Sequence, residues 1–122
     1  MAHKFKIVSR ANGQFGAQFV YNSEIIFWSE NYTSKTSAQN CIDSLKKNAP
    51  GAETVDLDKD EQGKGYRFEI VKAKDGQSFV RFVASNGETM VRTETYASKS
   101  GARNAIESLK KNGPGAEVVV EA

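Results

Sequence analysis

Apolar and polar residues alternate along the first thirty positions, then change period, and the same change returns in the second half of the chain. Residues 4–9 place Phe5 and Ile7 on one face, and 14–21 place Phe15, Ala17, Phe19 and Tyr21 on one face, the period-two signature of strands. A third strand over 25–30 is apolar on both faces, whereas its later counterpart, Thr89 to Glu94, is mixed. Asn12-Gly13 and Asp75-Gly76, then Asn22-Ser23 and Asn86-Gly87, supply the tight turns between them. The period then becomes helical. Ala38, Cys41, Ile42 and Leu45 fall at i, i+3, i+4 and i+7, and Ala102, Ala105, Ile106 and Leu109 repeat the stripe. Ser34 and Ser98 are the expected N-caps. Lys46-Lys47 and Lys110-Lys111 suit the negative end of a helix dipole. Asn48, or Asn112-Gly113, is expected to take a left-handed exit before the following proline. Last strands are expected at 53–57 and 116–121.

The two halves match residue by residue. Phe5-Lys6-Ile7-Val8 returns as Phe68-Glu69-Ile70-Val71, and Ser44-Leu45-Lys46-Lys47-Asn48 as Ser108-Leu109-Lys110-Lys111-Asn112. The offset is 63 up to Val20 and 64 from Glu24, so the halves differ by one residue in the intervening turn. Repeat one spans 4–57, an acidic, glycine-containing connector 58–66, and repeat two 67–120. Each repeat sits near the lower limit for independent stability. One domain over 1–122 with an internal pseudo-twofold is therefore expected, a single chain doing what a homodimer of repeats would do. The fold class is α+β: two tandem β3-αβ repeats forming one antiparallel sheet. Each helix has one apolar stripe and needs a sheet face, so both helices are placed on one face and the other is left open. Two separate stacked sheets with outer helices remain an alternative.

The repeated pattern Phe5-x-Ile7, Asn12-Gly13, Ser29-Glu30-x-Tyr32-x-Ser34-Lys35, Ala38, Ile42 and Ser44-Leu45-Lys46 resembles the small bacterial proteins related to YegP. The second copy reads Phe68-x-Ile70, Asp75-Gly76, Thr93-Glu94-x-Tyr96-x-Ser98-Lys99, Ala102, Ile106 and Ser108-Leu109-Lys110. The resemblance covers nearly all of both repeats. It implies one continuous antiparallel sheet, fourth strands exchanged between the repeats, helices together on one side, and single-repeat relatives that reach the same fold as dimers. It implies no function, because the family has none assigned, and no site residue is carried over from it.

Composition narrows the function classes. The chain has 17 basic and 15 acidic residues, split as −1 over 1–62 and +3 over 63–122, too even to declare a nucleic-acid binder. One cysteine excludes an internal disulfide framework, and no stretch approaches membrane-spanning length. A cytoplasmic, non-enzymatic monomer with no cofactor is expected, its partner unknown and either protein or nucleic acid.

Two surfaces are candidates. On the open face the alternation places Lys4, Lys6, Val8, Gln18, Val20, Ile26 and Trp28, with Arg67, Val71, Phe79, Arg81, Val83, Met90 and Arg92 in the second half. Aromatics interleaved with arginines on a sheet are a means of stacking and neutralising single-stranded nucleic acid; the plainer reading is a solvated sheet face or a self-association patch. Trp28, Phe79, Arg81 and Arg92 carry this candidate because they differ between the copies. The second surface is the paired helix starts, Ser34-Lys35 and Ser98-Lys99, where free N–H groups, hydroxyls and a lysine suit an anion or phosphate. The plainer reading there pairs Lys35 and Lys99 with Glu30 and Glu94. Cys41 lies on the apolar stripe and is expected in the core. His3 is expected as a solvated tail residue, and no His/Cys set suits zinc.

Overall fold

The computed structural model describes residues 3–59 and 61–121. In repeat one, β1 (His3–Arg10), β2 (Gln14–Tyr21) and β3 (Glu24–Ser29) form a meander, followed by α1 (Lys35–Asn48) and β4 (Glu53–Asp56). In repeat two, β5 (Arg67–Lys72), β6 (Ser78–Val83) and β7 (Thr89–Arg92) precede α2 (Lys99–Asn112) and β8 (Glu117–Val120). All eight strands lie in one sheet, in the order β4-β5-β6-β7-β3-β2-β1-β8. The fourth strands are exchanged: β4 of repeat one lies beside β5 of repeat two, and β8 beside β1.

The sheet departs from the antiparallel expectation at its two edges. The six central strands are antiparallel, but β4–β5 and β1–β8 are parallel, so the sheet is mixed. The cause is the connection. Tight turns force neighbours to reverse direction, whereas a strand arriving from a helix is free to run parallel to its neighbour.

Both helices bury their stripes in one core. Ala38, Cys41, Ile42 and Leu45 of α1 and Ala102, Ala105, Ile106 and Leu109 of α2 pack with Phe5, Phe19, Phe27, Phe68 and Phe82 of the sheet. Each fully buried phenylalanine contributes about 1.5–3 kcal/mol of hydrophobic stabilisation. Ser34 and Ser98 cap the helices as expected, accepting from the N–H of Ser37 and Gly101 at 3.1 and 3.3 Å. The exits are not left-handed. Ala49 and Gly113 remain right-handed (φ −63° and −59°), and each donates its N–H to Leu45 or Leu109. In each repeat the chain then turns through Pro-Gly, with Ala52 N–H bonded to Ala49 C=O and Ala116 N–H to Gly113 C=O. Proline already blocks helix propagation, so no positive φ is required.

A bulge corrects part of the face assignment. Opposite β2, Phe27 pairs with Phe19 and Ile25 with Val20, which leaves Ile26 as an extra residue; Met90 is its equivalent between Thr89 and Val91. The extra residue reverses the alternation locally. Ile26 is therefore buried in the helix-side core and Met90 packs against that core, although simple alternation puts both on the open face.

β3 and β7 leave the sheet at matching points, and each replaces a ladder bond with a buried hydroxyl. Ser29 Oγ accepts from the Ala17 N–H (2.8 Å) and donates to the Glu30 carbonyl; Thr93 Oγ1 accepts from the Val80 N–H (3.0 Å) and donates to Glu94. Ser29 is 3% exposed and Thr93 0%, so water does not substitute for either oxygen. This explains the repeated Ser/Thr-Glu of the sequence. Ser29→Ala and Thr93→Val each strand a buried N–H and are expected to lower unfolding stability by about 1–3 kcal/mol in urea titrations. A loss under about 0.5 kcal/mol, the range of ordinary surface changes, would deny the hydroxyls this role.

Candidate binding face

The pseudo-twofold axis passes through the seam between β3 and β7. Trp28 pairs with Arg92, its own repeat equivalent at offset 64, and a residue meets its equivalent only where such an axis runs. On the open face at this point the Arg92 guanidinium carbon lies 4.4 Å from the Phe79 ring centroid and 5.8 Å from that of Trp28, while Nε donates to the Thr93 carbonyl at 3.3 Å. Stacked cations of this kind keep their in-plane N–H donors available. Arg81 is the cross-strand neighbour of Arg92. All four residues expected to form the face, Trp28, Phe79, Arg81 and Arg92, line one open cavity of about 300 Å³, with Glu30 and Met90 among its walls.

The charges on this face are not equivalent. Glu69 accepts from Arg81 Nε (2.7 Å) and Arg67 Nε (2.9 Å) and is 6% exposed. Burial alone would push its carboxyl up, but hydrogen bonds and charge from Arg81 and Arg67 outweigh burial and hold it below the usual carboxylate range. Glu69 thus stays ionised and is shared by both arginines, leaving one net positive charge on the cluster. Lys4 and Lys6 meet Glu117 and Glu121 in exposed ion pairs.

The first repeat contributes a residue that the alternation pattern does not reveal. Gly16 is the equivalent of Phe79, and the space a Cβ would fill there is occupied by the Arg10 guanidinium. Arg10 Nη1 donates to the Ser29 carbonyl (3.3 Å) and to Asn31 Oδ1 (2.8 Å). Ser29 and Thr93 are repeat equivalents. The two halves therefore each bring a guanidinium to an equivalent carbonyl by different routes, Arg10 to Ser29 and Arg92 to Thr93. The missing side chain at position 16 is the only trace of this in the sequence.

The helix starts are occupied by protein groups. Lys99 Nζ donates to Asp56 Oδ2 (2.9 Å) and Asp58 Oδ2 (3.1 Å), not to Glu94. Asp56 is fully buried at the end of exchanged strand β4 and also accepts from the Asp58 N–H. Burial would push its carboxyl up, but the Lys99 ammonium and that N–H outweigh burial and hold it below its ordinary value. The equivalent of Asp56 is Val120, so the two starts are chemically unlike: Lys35 lies 5.8 Å from the Phe15 ring centroid. With carboxylates on Lys99 and the serine hydroxyls used as caps, the geometry does not favour a matched pair of anion sites.

His3 is not a solvated tail residue. It begins β1, stacks on Phe19 at a centroid distance of 5.5 Å, lies tilted against Tyr21 at 4.4 Å, and is 3.0 Å from Ser108 Oγ; burial lowers its pKa. Its counterpart at offset 63, Tyr66, stacks on Phe82 in the same way. Cys41 is buried, and burial pushes its thiol up; Tyr32 is raised mainly by burial and also by its hydrogen bond with Cys41. Among the described residues no group of three or more His, Cys, Asp or Glu is placed to hold a metal ion, and no helix is long and apolar enough to cross a membrane.

The family model "Domain of unknown function (DUF1508)" matches twice, over residues 11–56 and 73–119. A UPF0339 protein of Caulobacter vibrioides is 61% identical over 56 residues, 46% of this chain and 95% of that protein, so a single repeat exists as a chain of its own. A UPF0339 protein of Bordetella pertussis is 39% identical over 106 residues, covering 83% of this chain and 84% of its own. Among solved structures, the protein of unknown function yegP from E. coli matches with a TM-score of 0.78 and 29% identity over 99% of this chain and 94% of its own. A UPF0339 protein from Shewanella oneidensis matches with a TM-score of 0.78 and 25% identity over 98% and 92%.

Asp56 and Glu69 both have folded-state values below their unfolded ones, so each stabilises the fold above the ordinary carboxyl range near pH 4, and that contribution is lost as pH falls through the folded value. Acid titration of unfolding stability is expected to fall less steeply below about pH 4 in Asp56→Asn and Glu69→Gln than in the parent. Equal slopes in all three proteins would remove these two carboxylates from the acid response.

Proposed function

The chain belongs to the DUF1508 family, whose members have no assigned function, and on that footing we propose that it is a non-enzymatic binding module whose contact surface is the open sheet face around Trp28, Phe79, Arg81 and Arg92. One observation carries this reading: Trp28, Phe79, Arg81 and Arg92, four residues at positions where the repeats differ, converge in a single cavity at the pseudo-twofold axis. The scaffold residues recur in both halves. At the axis Trp28 faces Arg92, Phe79 replaces Gly16 and Arg81 replaces Gln18.

The chemistry on that surface selects a ligand that is both flat and anionic. Trp28 and Phe79 offer ring surface, and the guanidinium between them retains donors for an oxygen anion. A buried, protonated thiol at Cys41 supports binding over nucleophilic catalysis. The single unpaired cysteine also supports a reducing, cytoplasmic setting.

Trp28 is the sole tryptophan, so its emission reports on this cavity alone. A titration at low salt with adenosine monophosphate, salicylate and a mixed-sequence single-stranded octanucleotide is expected to quench or shift that emission with at least one probe. Arg92→Gln and Phe79→Ala are expected to weaken the response about tenfold or more, since a stacked, charge-assisted contact is worth roughly 1.5–3 kcal/mol. Silence with all three probes would sink the reading.

A further inference from the structure

We propose that Arg10 and Arg92 form one two-point phosphate receptor, and that the open face holds single-stranded nucleic acid by successive phosphates on either side of Trp28. The inference rests on the open-face reading and adds a residue, a ligand class and a stoichiometry to it.

The geometry begins with the two carbonyls. Ser29 pairs with Val91 across the seam, and Thr93 lies two residues further along the same strand direction, so the two residues are diagonal neighbours. Such neighbours stand about 7–8 Å apart in a sheet. Each carbonyl holds one guanidinium, Arg10 at Ser29 and Arg92 at Thr93. An arginine carries five N–H donors in a planar fork. Arg92 spends Nε on Thr93, and Arg10 spends Nη1 on Ser29 and Asn31, so both keep donors for an incoming oxygen anion.

The second step is what separates the two cations. In register the row across β6, β7, β3 and β2 is Arg81, Arg92, Trp28 and Gln18. Along the diagonal two residues away from Arg81 and Gln18 it reads Phe79, over which Arg92 leans, then Arg92, Trp28, and Arg10 in the space above Gly16. Along that diagonal aromatic and guanidinium groups alternate. A strand of nucleic acid presents the complementary alternation of anion and flat base. A mononucleotide fills only one of the two anion positions.

Arg67 and Arg81 share the Glu69 carboxylate, which leaves one net positive charge between them, and Lys4 and Lys6 meet acids, whereas Arg10 and Arg92 bond only neutral oxygens. Of the cations on this face, these two therefore act most directly on a ligand. Glu30, in the cavity wall, is the opposing charge, and Glu30→Gln is expected to tighten binding.

The test is fluorescence anisotropy with a labelled single-stranded octanucleotide from about 50 to 200 mM salt, the slope of log K against log salt being about 0.7 per neutralised phosphate. Arg10→Gln and Arg92→Gln are each expected to reduce that slope by about 0.7, while Lys47→Gln on the helix side leaves it unchanged. Gly16→Ala keeps the Arg10 charge but fills the space its guanidinium occupies, and is expected to weaken binding as Arg10→Gln does. Unchanged slopes in both arginine variants, an equal loss in Lys47→Gln, or parent-like binding by Gly16→Ala would each overturn the receptor. If adenosine monophosphate binds as tightly as the octanucleotide, this inference fails and the open-face reading stands. If neither probe nor salicylate binds, both fail.

Discussion

The exchange of fourth strands is the constraint on which the rest of the structure depends. At the seam β3 and β7 pair only at Trp28–Arg92 and Ser29–Val91, too short a ladder to join two halves. The edges are more extensive: β4 pairs with β5 from Glu53–Arg67 through Asp56–Ile70, and β8 with β1 from Lys4–Glu117 through Ile7–Val120. Each repeat thus completes the other's half. The exchanged strands are fastened as well as paired. Asp56 carries β4 to Lys99 at the start of α2, and the Ala116 carbonyl, just before β8, accepts from Lys46 near the end of α1. Removing one repeat would leave the fourth strand of the other without its partner and open both edges of the remaining three-stranded meander.

That constraint is symmetric, but its chemistry is not. Val120 stands where Asp56 stands, and Lys6 where Glu69 stands. The half of the sheet built on β5 to β7, with the exchanged β4 at its edge, buries its carboxylates Glu69 and Asp56, while the half built on β1 to β3 with β8 keeps its ion pairs in solvent. Buried pairs demand full satisfaction and bring specificity more than stability, whereas exposed pairs contribute little of either. β4 has a further requirement, since the connector runs against it: a Cβ on Gly63 would meet Glu53, Val55 and Arg67 side-chain atoms within 2.6–2.8 Å. The stretch between the repeats is therefore partly a cover for an edge strand, not only a tether.

What the sequence disclosed was local. The meanders, the helix stripes, the serine caps and the repeat itself follow from spacing over ten or so residues. The face assignment of Phe79 and Arg81 followed from alternation along an unbroken strand, and that of Trp28 and Arg92 holds because both lie beyond the bulge in their strands, where the pairing is regular. Ile26 and Met90 failed for the opposite reason: one extra residue reverses the phase, and nothing at those positions marks it. The parallel edges, the Lys99–Asp56 pair and the Arg10 guanidinium over Gly16 join residues set by tertiary placement rather than spacing. A small hint existed for the last, since Gly16 interrupts a strand of otherwise larger residues, and a strand glycine often marks a close approach.

The axis explains why a duplicated chain differs from a homodimer of single repeats. In a homodimer the residue on the axis meets an identical copy, so position 28 would face itself, tryptophan against tryptophan or arginine against arginine. Two arginines in register repel, and two tryptophans present no charge to an anion. Fusing the repeats releases that restriction, and the axial pair here is Trp28 with Arg92. The same release lets one half supply Phe79 as a stacking wall and the other supply Arg10 through the gap at Gly16. A cation between two rings, flanked by a second cation, is an arrangement that identical repeats related by a twofold axis do not produce. The fused chain keeps the symmetric scaffold for stability and gains a polar row with direction, which is what recognition of a ligand with two unlike ends requires.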